Sequence, residues 1–213
     1  MTERLTYDEL PEEMPERFQG SLSLWTRVNI HRDGKLIEKG KWEEGHSFVK
    51  NFLYTLYTCF GHAYDYLAVN TSGSVEGVES PAVNEYTFRA TDAAAANDNY
   101  GILLGTDNTA VTLSDYVLGT KIAHGVAATQ LSYGAHSNNF AQPDGSNVDL
   151  VLIRLFTNSS GGDITVEEMG LVCYQVEAVG GLSKYYLLAR DLKNFTITDG
   201  DVAYVEYRLR TTI

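Results

Sequence analysis

Cysteine is scarce in this chain. Its 213 residues hold two, Cys59 and Cys173, far apart and without metal or redox spacing. A disulfide-stapled scaffold and a CxxC centre therefore do not organise the fold, and two reduced, buried thiols are expected, although sequence leaves them free to meet. Cations are scarce as well. Sixteen Lys plus Arg against twenty-eight Asp plus Glu leave a formal net charge of -12, and nowhere do basic residues cluster with aromatics, so direct DNA binding is disfavoured. No apolar run is long enough to cross a bilayer, because the longest apolar helix ends near Phe60 and is polar on one side. The N-terminus lacks a basic segment followed by an apolar one, so a soluble protein without a cleaved signal is expected. Asn70, Asn158 and Asn194 match the N-glycosylation pattern but carry no weight without a secretory route.

Catalytic signatures are missing too. There is no GxSxG elbow, P-loop, GxGxxG after a strand, or HExxH, and His31, His46, His62, His124 and His136 are scattered. No catalytic, cofactor-binding or metal-ligating residue is assigned, and no enzyme activity or cofactor is expected. Glu167 and Glu168 are adjacent; on a strand they point to opposite faces and cannot form an acid/base pair, so one is read as surface and the other as satisfying a buried group. Asp92, Asn97, Asp98 and Asn99, followed by Asp107 and Asn108, offer hard oxygen ligands for Ca²⁺ but lack the spacing of an EF-hand loop; Asx turns are the plainer reading.

What is present is strand signal. Ala203, Val205, Tyr207 and Leu209 alternate with Val202, Tyr204, Glu206, Arg208 and Arg210, which predicts one core face and one partly wet face. Residues 148–156 are apolar except at Asp149 and Arg154, as for a central strand covered on both faces. The NSSGGD run at 158–163 and Asp199-Gly200-Asp201 read as turns. Leu22, Leu24, Thr26, Val28 and Ile30 alternate with polar neighbours up to Asp33-Gly34, predicting a β-hairpin over 22–42 in which Trp25 and Trp42 face each other. Phe48, Phe52, Leu56 and Phe60 recur at i+4 with Gly61 at the C-cap position, predicting one amphipathic helix over 46–60. Residues 61–100 read as surface loops. Residues 1–20, with six acids, two prolines and few large apolar residues, read as an extended N-terminal arm ahead of a single domain at 21–213. A chain of this length buries roughly 70% of its unfolded surface, enough for one substantial core. The fold class is mainly β: an antiparallel, jelly-roll-like β-sandwich with an arm, a hairpin and one helix.

The order GILLGTDNTAVTLSDYVLGTKIAHG, LSYG, LIRLFTNSSGGDITVEEMGLV, YYLLARDL and TITDGDVAYVEYRLRTT resembles a recurrent family of tailed-bacteriophage virion proteins. GHSFVKNFLYTLY is similar to the helix that precedes that module. The likeness spans roughly residues 20 to 213 and leaves the arm and the loops of 61–100 unmapped. It implies a non-enzymatic virion component, assembled in the host cytoplasm in multiple copies on the head, as decoration or head fibre, or at the neck or tail. Its implied partners are capsid, portal, neck or tail proteins and copies of itself, with no specific nucleic acid and no membrane. It further implies an inner strand at 164–171 and another at 187–191, with Arg190 or Asp191 anchoring a turn. The alternative is a carbohydrate-binding host-attachment module using Trp25, Trp42, Tyr64 and Tyr66. A hydrolase of host surface polymers ranks third, since it needs two carboxylates brought together by the fold.

Overall fold

A computed structural model describes residues 21–45, 48–60, 67–77, 89–144, 147–176 and 182–212. The proposed arm lies outside them. Among the described residues eleven strands and one helix follow in the order β1 (Ser21–Arg32), β2 (Lys35–Lys39), β3 (Glu43–Gly45), α1 (Lys50–Phe60), β4 (Leu67–Val69), β5 (Val75–Gly77), β6 (Gly101–Gly105), β7 (Ser132–Asp144), β8 (Asn147–Thr157), β9 (Ile164–Val176), β10 (Ser183–Ile197) and β11 (Val202–Thr212).

Asp33 and Gly34 both hold positive φ, 50° and 73°, which matches the strand twist and folds β2 back on β1 as the Asp-Gly pair predicts. The return stroke stops at Lys39. Gly40 then passes so close to Val28 that a Cβ would lie 2.0 Å from its carbonyl oxygen, and β3 rejoins the same edge of β1 through Leu24 to Thr26. On its other edge β1 pairs with the last strand, Leu24 opposite Leu209 and Val28 opposite Val205. The large sheet runs β2-β1-β11-β8-β7 with β3 beside β1; a second sheet runs β10-β9-β6, and β4-β5 form a small hairpin. β8 and β11 are neighbours in the large sheet, while the β9-β10 hairpin between them builds the small one. The chain thus leaves the large sheet after β8 and returns to it at β11, which builds an antiparallel β-sandwich.

The alternation predicted for β11 holds: Ala203, Val205 and Tyr207 are buried with Leu152, Phe156, Leu24 and Ile30 of the same sheet. They join Ile102, Leu104, Met169, Leu171, Cys173 and Tyr186 of the small sheet in one hydrophobic core. Each fully buried Leu, Ile, Val or Phe contributes about 1.5–3 kcal/mol relative to its exposed state. The Tyr207 hydroxyl crosses the sandwich and donates to Asp191 Oδ2 at 3.1 Å.

Three expectations need correction. The helix begins at Lys50, not 46, because Phe48 bridges Ala189 and the Val49 N–H donates to the Leu188 carbonyl at 3.0 Å, so this stretch extends the small sheet before the chain coils. His46 and Ser47 lie outside the described residues. The stretch at 61–100 is not all surface: Ala68, Asn70, Ala90 and Ala93 are buried, and β4 is held by Asn51 of α1, whose side-chain amide donates to the Val69 carbonyl at 2.8 Å and accepts its N–H at 3.2 Å. Small side chains fill these sites without leaving a periodic trace. Finally, β8 is central, but only its inner residues are fully covered; Val151, Ile153 and Leu155 on the other face are half-buried and Val148 is exposed.

Candidate functional site

The period of two sets Trp25 opposite Arg208 and Arg27 opposite Glu206 on the outer face of the large sheet, with Arg210 opposite Asp149. Arg27 grips Glu206 with both ends of its guanidinium, Nε to Oε1 at 3.0 Å and Nη2 to Oε2 at 2.7 Å, while Asn29 Nδ2 donates to the same Oε1 at 2.8 Å. Arg210 grips Asp149 likewise, at 2.7 Å twice. The Arg210 hydrogen bond holds the Asp149 carboxyl below its ordinary acidity range, against the cost of burial. Trp42 lies over this face with the guanidinium carbons of Arg27 and Arg208 at 4.4 and 3.9 Å from its ring, each contact being worth about 0.5–2 kcal/mol. The His31 and Tyr204 rings meet at 4.3 Å. The helix and the β4-β5 hairpin pack on the other sheet, so among the described residues no secondary-structure layer covers this face.

Trp25 and Trp42, predicted to face each other across the hairpin, do not form a cross-strand pair: β3 sets Trp25 opposite Glu44. Trp25 donates its indole N–H to Ser23 Oγ at 2.9 Å, and the Trp42 ring is occupied by its two arginines. Tyr64 and Tyr66 lie outside the described residues.

The small sheet treats its outer side differently. Glu167 and Glu168 part to opposite faces as predicted: Glu167 receives only a 3.5 Å contact from Asn108, whereas Glu168 is fully buried against Arg190, Nε to Oε2 at 2.7 Å. Arg190 also binds Asp115 at 2.9 Å and Asp107 at 2.7 Å. Glu168 additionally accepts the N–H groups of Gly119 at 3.1 Å and Thr120 at 2.8 Å. One guanidinium and one carboxylate thus fold residues 106–120 over the sheet, and the turn anchor expected at Arg190 or Asp191 is Arg190. These carboxylates are saturated by fixed partners, so they do not present a free acid/base pair to a substrate. The clamped loop leaves Leu113, Tyr116 and Val117 exposed, and Leu113 joins Phe48, Val111 and Leu192 in lining a cleft of about 490 Å³.

The proposed calcium ligands do not converge. Asp92 pairs with Arg89; Asn97 Oδ1 accepts the N–H of Asn99 at 2.9 Å, which is an Asx turn; Asp98 accepts the His124 N–H at 2.9 Å and meets Lys121 at 3.3 Å; Asp107 serves Arg190. Among the described residues no three His, Cys, Asp or Glu side chains gather as a metal site. Of the histidines, His31, His124 and His136 sit apart on β1, a loop and β7; His46 and His62 are outside the described residues.

Two features escaped sequence reasoning. Arg154 is fully buried without a carboxylate: its guanidinium donates to the carbonyls of Gly134 at 3.0 Å, Tyr100 at 2.9 Å, Ile102 at 3.0 Å and Ala94 at 3.4 Å, and also to that of Asn97. Burial lowers it to about 10, still protonated at neutral pH. The signal was a lone arginine on the core side of an apolar strand. The second is a group of three tyrosines, Tyr100, Tyr174 and Tyr185, brought together because the β9-β10 register sets Tyr174 opposite Tyr185. Their ring centroids lie 5.7 to 6.2 Å apart. Compared with family models, curated proteins and solved structures, the chain finds no match in any of the three.

Proposed function

We propose that this chain is a non-enzymatic structural component of a tailed-bacteriophage virion, assembled in several copies on the head or at the neck or tail through protein–protein contacts. The observation that carries the reading is the outer face of the large sheet: a layer of Trp25, Trp42, Arg27, Arg208, Arg210 and Tyr204, half-buried by its own packing. Trp, Tyr and Arg are the residues that interfaces concentrate, and the bidentate pairs hold them in fixed rotamers before any partner arrives. The hairpin adds an edge on which Leu36 and Ile37 are about half exposed between Lys35 and Lys39; lysines at such an edge discourage indiscriminate strand pairing while leaving it open to a chosen partner.

The test is the mass of the purified protein in solution, with and without residues 1–20, together with its detection in purified particles. A defined oligomer that dissociates on trimming supports assembly through the arm. A strict monomer, combined with particles that are complete and equally stable without it, contradicts the reading. Threefold or sixfold placement on the shell distinguishes decoration from a ring on the portal axis.

A further inference from the structure

The geometry points to a second site: the tyrosine cleft of the small sheet is a binding site for a neutral saccharide. Tyr100, Tyr174 and Tyr185, with Arg89 and Asn97, line an open depression of about 270 Å³, and Tyr185 also borders an adjoining hollow of about 250 Å³ that reaches Asn99 and Lys121. The three rings cluster at one site: Tyr100 and Tyr185 are near-parallel at 16°, and Tyr174 is tilted 41° and 51° against them. Two stand on paired strands, and the third immediately precedes β6. Their hydroxyls are mostly tied down. Tyr100 donates to the Asp92 carbonyl at 3.3 Å, and Tyr174 shares a 3.0 Å hydrogen bond with Ser183. The surface is therefore organised before a ligand arrives, which lowers the ordering cost of binding.

The charge arrangement selects the ligand class. Both cations at the cleft are already neutralised, Arg89 by Asp92 and Lys121 by Asp98 at 3.3 Å, with Lys121 also donating to the Asp98 carbonyl at 2.7 Å. An anionic ligand would find no unpaired positive charge, and a cationic one no unpaired carboxylate. What remains is aromatic area, the Tyr185 hydroxyl and the Asn97 amide N–H groups, neither of which has a partner among the described residues. A pyranose ring offers the complement: one face of C–H groups to lie on a tyrosine and equatorial hydroxyls for the amide and phenol. A proline-rich peptide could use the rings but would leave the amide donors unanswered.

The experiment is affinity electrophoresis of the intact protein through gels containing dextran, glycogen, laminarin, galactomannan or xyloglucan, with a polyproline peptide titrated separately. Retardation by at least one polysaccharide is expected, weakened about tenfold by Tyr185→Ala or Tyr174→Ala. Ser159→Ala, in the exposed turn between β8 and β9, is expected to leave it unchanged. Tyr185→Phe, which keeps the ring and the packing, is expected to weaken it about threefold, and covers the case in which the alanine variants do not fold. No retardation by any of the five polymers, equal loss in Ser159→Ala, or polyproline binding in place of polysaccharide binding would overturn the proposal.

Discussion

The two sheets solve the same problem in opposite ways. Each has an outer face carrying arginines and carboxylates. In the small sheet the charges are covered: Arg190 is buried among Glu168, Asp107 and Asp115, and the attraction is used to close a loop over the face. In the large sheet the pairs Arg27–Glu206 and Arg210–Asp149 lie along the outer face with their arginines about a quarter exposed, Arg27 and Arg208 flank Trp42, and among the described residues no layer covers the face. Desolvation makes the difference. A buried ion cluster is costly to form and very costly to break, so it specifies one arrangement; a ladder whose arginines stay partly solvated adds less stability and holds side chains ready for something else.

Four predictions sharpen this contrast. The largest effect belongs to Arg190→Met, which strands Glu168 in the core and frees the 106–120 loop. A loss of about 3–5 kcal/mol is expected in denaturant unfolding, and Glu168→Gln added to it restores part of that loss. Next is His136 on the inner side of β7, which burial, helped by the Arg154 charge, depresses to about 4. Because the unfolded chain binds this proton near 6.5, stability is full above that pH and falls between 6.5 and 4, by about 3 kcal/mol. His136→Gln flattens this window in pH-dependent melting, but not the separate loss at lower pH, where Asp107, Asp115 and Asp149, all held below their ordinary values, take up protons. Gly101→Ala is third: its φ of +86° and a Cβ placed 2.8 Å from His136 Cδ2 predict a loss of about 1–3 kcal/mol by thermal unfolding. The smallest effect on folding is that of Arg208→Ala on the open face, about 1 kcal/mol, the size of one partly exposed cation–π contact. A large loss there would mean that this face is structural like the other, and the contrast between the sheets would fail.

Much of the fold was legible where one face is buried and the other is not. β11, β8 and the Asp-Gly hairpin announce themselves through alternation and through a turn that demands positive φ. β7 did not, because it is an edge strand containing Gly134 and Pro143, with two register shifts that interrupt its period. The helix start was misplaced because Phe48 fits the helical stripe equally well but finds a better partner in Ala189 of β10, a contact that depends on tertiary structure. The candidate sites were less legible still. That Glu167 and Glu168 would split between surface and interior followed from strand geometry, yet the partner of Glu168 lies on a neighbouring strand. The tyrosine cleft depends on the β9-β10 register and on the loop before β6, neither of which a single sequence specifies.

The central claim is that the open face of the large sheet serves assembly and not folding. It is tested most directly by the solution mass of the intact protein beside that of the intact-length variants Trp42→Ala and Arg208→Glu, each shown by its melting curve to be folded. A defined oligomer for the parent and a smaller, still folded species for both variants is the predicted result. The same mass for all three, or variants that lose folding and mass together, would contradict it.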